Sequence, residues 1–134
     1  MKRLVVIFLS CCLLLGLCGC GVVRLKPDDV VQISYRNEHT GVSFREMLTE
    51  QEKVTVVNIL NGKPQKFSVF NGVPSCSFDP QVSIIVNGTT FALALDKCGM
   101  LQNCNTKQYI SISDSERKAI EALFTTRGGT FPCN

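Results

Sequence analysis

Apolar and polar residues alternate along two stretches of the chain and recur at helical spacing along a third. Residues 82–95, VSIIVNGTTFALAL, read as a β-hairpin, because Asn87 and Gly88 fall at the two turn positions that need positive φ. Pairing Val86 with Thr89 places Val82, Ile84, Phe91, Leu93 and Leu95 on one side, and Ser83, Thr90, Ala92 and Ala94 on the other. The bulky side is expected to face helices. Upstream, residues 28–36 alternate so that Val31, Ile33 and Tyr35 share one face of a half-buried strand. Shorter strands are predicted at 66–70 and 108–112.

Two helix starts carry the same signature, a hydroxyl followed three residues later by glutamate: Thr49 with Glu52, and Ser113 with Glu116. After Ser113, the residues Ala119, Ile120, Leu123 and Phe124 fall on one face, and Gly128-Gly129 can stop the helix, which is predicted over 114–126. After Thr49, the run KVTVVNIL is rich in β-branched residues that also suit a strand. The cap and the Asn61-Gly62 ending decide for a helix over 50–61. The expected fold is α+β: a largely antiparallel sheet with two helices packed on one face, following an N-terminal signal segment.

The 134 residues suffice for one domain with a modest core. The net charge of +3 includes Lys2 and Arg3, and without them the body is nearly neutral, which argues against a nucleic-acid partner. Lys2 and Arg3 precede an uncharged run from Leu4 to Leu17, the charged and apolar regions of a secretory signal. Residues 21–29, GVVRLKPDD, contain Pro27 and paired acids and are expected to be a short tether.

Leu17-Cys18-Gly19-Cys20 resembles the lipobox of bacterial lipoprotein precursors. The resemblance implies cleavage before Cys20, a thioether from its sulfur to diacylglycerol, and loss of Cys11, Cys12 and Cys18 with the signal. Cys20 is selected because Gly19 supplies the small residue required before the cleavage point, where Cys18 would have bulky Leu17. Two acyl chains hold a protein stably on a membrane where one holds it marginally. The boundaries are then signal peptide 1–19, lipidated tether 20–29 and domain 30–134. Rival readings are an uncleaved transmembrane anchor over Leu4 to Val23 and a plain secretory signal, and all three place the domain outside the cytoplasm, at the cell membrane or outer membrane if lipidated. Residues 76–133 also resemble small lipoproteins of Firmicutes, through CSFDP, FALALDKCG, YISISDSERKAIEALF and GGTFPC. That resemblance implies export and a helix-flanked sheet, with no activity attached, and Cys104 departs from its pattern.

Cys76, Cys98, Cys104 and Cys133 remain beyond the anchor, and an even number in a small exported domain favours disulfides. Extending the hairpin ladder brings Cys76 opposite Gly99, although Pro80 is expected to break the register first. Cys76 with Cys98 is therefore favoured, and by elimination Cys104 with Cys133. A local Cys98 to Cys104 bridge competes. No Cys-x-x-Cys pair supports a metal site, no cofactor motif is present, and the single histidine, His39, lies in a polar loop. Asp79 and Asp96 could meet across the hairpin as paired carboxylates, but nothing in the sequence marks a cleft around them. Asn87-Gly-Thr89 also fits a glycosylation acceptor, with the turn as the simpler explanation. The chain thus reads as a membrane-anchored, non-catalytic binding domain with an envelope or extracellular protein partner. An envelope enzyme or inhibitor is the alternative.

Overall fold

A computed structural model of the protein describes residues 21–67 and 76–131. The elements run β1 (Val31–Asn37), β2 (Val42–Met47), α1 (Glu50–Leu60), β3 (Phe78–Val86), β4 (Thr89–Ala94), β5 (Met100–Asn103), β6 (Tyr109–Ser111) and α2 (Asp114–Thr125). The strands form one sheet in the order β2-β1-β3-β4-β5-β6, with every neighbouring pair antiparallel. This is the expected α+β architecture.

The hairpin forms in the expected register, with Val86 opposite Thr89 and Ile84 opposite Phe91, around Asn87 at φ 47° and Gly88 at φ 82°. The Asn87 side chain also reaches back to the entry of β1: its Nδ2 donates to Asp29 Oδ1 at 2.8 Å, and its Oδ1 accepts from the Val30 amide at 3.0 Å. Val31, Ile33 and Tyr35 are buried as their alternation requires. On the bulky face, Ile33, Ile84, Phe91, Leu93 and Leu101 share a core with Val56, Ile59 and Leu60 of α1 and with Ile120, Leu123 and Phe124 of α2.

Both helices begin with complete capping boxes. Thr49 accepts from the Glu52 amide while Glu52 accepts from the Thr49 amide, and Ser113 and Glu116 do the same. The cap outweighs the β-branched composition of α1, whose buried side is only Val56, Ile59 and Leu60. In α2, the Arg117–Glu121 pair is buried beside the apolar stripe, an i,i+4 contact made where the helix flank turns toward the core.

Three features depart from expectation. β2 and β5 were not expected as strands. β2 is an edge strand in which four of six residues, Ser43, Arg45, Glu46 and Met47, are polar, charged or exposed, and β5 has four residues, so neither carries a long alternating run. The segment expected to be a tether packs on the domain instead. Its Val23 is buried in the core, and its backbone is bonded to residues 62–65. One apolar side chain with a core slot, together with a backbone ladder, overrides the disorder that Pro27 and the acids suggested. Of the strand expected at 66–70, Lys66 pairs with Tyr109, and residues 68–70 lie outside the described part. The signal segment 1–19 and Cys20 also lie outside it. Among the described residues, no helix is long and apolar enough to cross a membrane.

Candidate functional site

An open groove of about 620 Å³ lies where four separate stretches of the chain converge. The end of β1 and its turn supply Tyr35 to His39, the start of β3 supplies Asp79, Gln81 and Val82, the end of β4 supplies Leu95, and the C-terminal segment supplies Thr130 and Phe131. The volume is that of a small-ligand site.

Each wall has a local cause. In the turn after β1, the Asn37 side chain accepts from the amides of His39 at 2.9 Å and Thr40 at 3.3 Å, and Gly41 closes the loop at φ 71°. This asparagine-centred turn lifts Glu38 and His39 onto the exposed rim. On the opposite wall, Pro80 cannot donate to the ladder, and the β3–β4 register shifts between Phe78 and Ser83, as expected. Asp79 folds over the irregularity and accepts from the Gln81 amide at 2.8 Å. The floor is tied together by Tyr35. Its hydroxyl donates to the Thr130 carbonyl at 2.8 Å and accepts from the Thr130 amide at 2.9 Å, fixing the C-terminal segment against β1. Phe131 then packs edge-on against Phe124 and Tyr35.

The result is an apolar floor of Tyr35, Val82 and Phe131 under a rim carrying both charge signs, Arg36 with Glu38 and Asp79, beside the His39 imidazole. Arg36 and Glu38 form an exposed ion pair at 3.3 Å, a contact that water screens and that an incoming charged group can exchange. Such a rim can hydrogen-bond a ligand carrying both donors and acceptors while the floor takes an apolar part.

The cysteine expectation is met for one pair. Cys76 and Cys98 are joined by a disulfide, with Cα atoms 6.0 Å apart. The register shift places Phe78 opposite Ala94, three residues short of where an unbroken ladder would put it, and Asp96 fills the gap. Its Oδ1 accepts from the Cys98 amide at 3.2 Å and its Oδ2 from the Ser77 amide at 3.1 Å. Asp96 therefore braces the disulfide while Asp79 serves the groove, so the two carboxylates have separate local roles. Donor atoms of Cys76, Asp96 and Cys98 lie within 4.8 Å of one another, but the disulfide uses both sulfurs, so the cluster is not a metal site in this state. Cys104 is partly buried with its Sγ 3.8 Å from the Gln102 carbonyl, and its expected partner Cys133 lies outside the described residues.

His39 and Asp79, both considered for chemistry from sequence, share the groove rim. Arg36, Gln81, Thr130 and Phe131 carried no signal, because the groove is assembled from segments up to 95 residues apart. No protein-family model, no curated protein and no solved structure matches the chain.

Proposed function

We propose that the protein is a lipid-anchored, extracytoplasmic binding module, held to a membrane through Cys20 and using the groove beside β1 to engage a short segment of an envelope or extracellular protein. The observation that carries the binding half is the groove itself, where mixed charges over an apolar floor suit a peptide that offers both a side chain and polar backbone. The anchor half is supported by the charged and apolar regions ahead of Cys20 and by the small residue at Gly19. In this reading the groove residues act by binding.

The test has two parts. Metabolic labelling with a fatty-acid analogue should mark the wild type and leave Cys20→Ala unmarked; incorporation that persists in Cys20→Ala, or a mature mass that retains residues 1–19, refutes the anchor. A defined protein enriched from labelled envelope by the wild type should be lost with Asp79→Lys and with Arg36→Glu. Equal recovery by all three refutes the groove. A second reading, an envelope enzyme, rests on His39 and Asp79 sharing one rim, and it predicts that a turnover assay on the enriched partner loses its signal in His39→Ala.

A further inference from the structure

The residues that follow Cys20 leave no slack between the lipid attachment point and the domain. The Gly21 carbonyl accepts from the Gln65 amide at 2.7 Å, the Val23 amide donates to the Lys63 carbonyl at 3.0 Å, and the Val23 carbonyl accepts from the Gly62 amide at 2.8 Å. The same short stretch pairs on its other side with β6, because Lys66 and Tyr109 exchange both backbone hydrogen bonds at 3.0 and 2.9 Å. Residues 64–66 and then 21–23 thus continue the sheet beyond β6. Cys20 is covalently next to Gly21, and one residue of chain spans only about 3.5 Å.

The side chains at this edge suit a lipid surface. Opposed residues of a ladder share a face, so the bridges Val22–Pro64 and Lys66–Tyr109 set Val22, Lys66 and Tyr109 on one side. Val22 is 44% exposed, and Phe67, which follows Lys66 in the chain, is 59% exposed, so this border of the sheet carries two large apolar groups in water. Lys66 is itself a bridge residue and Arg24 and Lys107 each stand two residues from one; all three are exposed and enter no ion pair among the described residues. Apolar groups that can enter the headgroup layer, flanked by uncommitted cations, match an anionic membrane.

We propose that this sheet edge lies directly on the membrane, with Val22 and Phe67 entering the headgroup layer and Arg24, Lys66 and Lys107 meeting anionic lipid headgroups, so that the domain has one fixed orientation. The proposal rests on lipidation of Cys20. Its consequence is orientational: the membrane-facing edge is built from residues 21–23 and 64–67, whereas the groove is lined by residues 35–39, 79, 81–82, 95 and 130–131, none of which belongs to that edge.

The chain contains no tryptophan, so a single introduced one is a clean reporter. Full-length protein purified with its lipid would be reconstituted into phosphatidylcholine vesicles containing phosphatidylglycerol, with and without brominated acyl chains. Phe67→Trp reports the anchor edge. Met47→Trp reports the far edge, where Met47 is 56% exposed on β2. The Phe67→Trp reporter should be quenched by roughly twofold or more relative to the Met47→Trp reporter, as expected of a group in the headgroup layer. Inserting a flexible glycine-serine spacer between Cys20 and Gly21, or adding Lys66→Glu and Lys107→Glu, should reduce that quenching while the protein stays on the vesicles. Equal quenching of the two reporters on protein whose mass includes the lipid overturns this inference and leaves the anchor intact. Protein that lacks the lipid mass and fails to associate with vesicles overturns both.

Discussion

Replacing Arg127 tests how the two helices and the edge strand are joined. The Arg127 guanidinium donates to Glu52 through two nitrogens at 2.8 and 2.9 Å, to Glu46 of β2 at 2.7 Å, and to the Leu123 carbonyl near the end of α2 at 2.8 Å. The side chains of Arg127 and Glu52 are 16% and 25% exposed, so this fork is only partly open to solvent. Arg127, with help from the Thr49 amide and hydroxyl, pulls the Glu52 carboxyl down from 4.5 to about 2. Taken whole, that difference in proton affinity corresponds to about 3 kcal/mol. Solvent access and the share belonging to Thr49 reduce the part due to Arg127 to about 1–2 kcal/mol. Because the carboxyl is depressed in the folded state, this stability is fully present above pH 4.5 and is lost as pH falls toward 2. Urea unfolding of wild type and Arg127→Met, followed by circular dichroism from pH 7 to pH 2, should show a gap of about 1–2 kcal/mol at neutral pH that closes across the acid range. A gap that stays constant over that range, or no gap at pH 7, would refute the argument.

Two further outcomes follow from the core and the disulfide. Ile120→Ala and Leu123→Ala each remove a buried side chain between α2 and the sheet and should lower stability by about 2–5 kcal/mol in the same unfolding assay, whereas a value near zero at both would mean that α2 does not pack there. Reduction of the Cys76–Cys98 bond, which closes a loop of sequence separation 22, should lower Tm by an amount corresponding to about 3 kcal/mol, and an unchanged melting curve after complete alkylation would show that the bond adds no stability.

What could be read from the sequence is what neighbouring residues decide among themselves. Asn87-Gly88 fixes its hairpin because the turn geometry admits few other residues, and from that turn the facing of Ile84, Phe91 and Leu93 follows by counting. Thr49 and Ser113 announce helices through contacts made within three residues. β2 escapes the same procedure, since Phe44 is sheltered by stacking on Tyr35 at 5.3 Å and by Phe124 at 6.5 Å, contacts that exist only once the fold is assembled. Val23 looks like any apolar residue in a linker until Gly62 and Lys63 provide its ladder. The groove is the extreme case. Its floor depends on Tyr35 meeting Thr130 across 95 residues, and no spacing or periodicity in the chain encodes that meeting.

The two borders of the sheet differ in how open they are to self-addition. Beyond β6 the border is the short stretch 21–23, whereas β2 presents its outer backbone groups along six residues with no strand paired to them among the described residues. An unguarded strand of this kind would recruit a second copy and then a third, building a ribbon. Arg45 and Glu46 oppose that growth. A two-fold pairing centred on Arg45 sets arginine against arginine, and one centred on Glu46 sets carboxylate against carboxylate. Centring on Phe44 instead places Glu46 opposite Val42 and draws on a carboxylate already bonded to Arg127. The ion pair that fastens β2 to the helices therefore also discourages edge-to-edge polymerisation, even when many copies are crowded together.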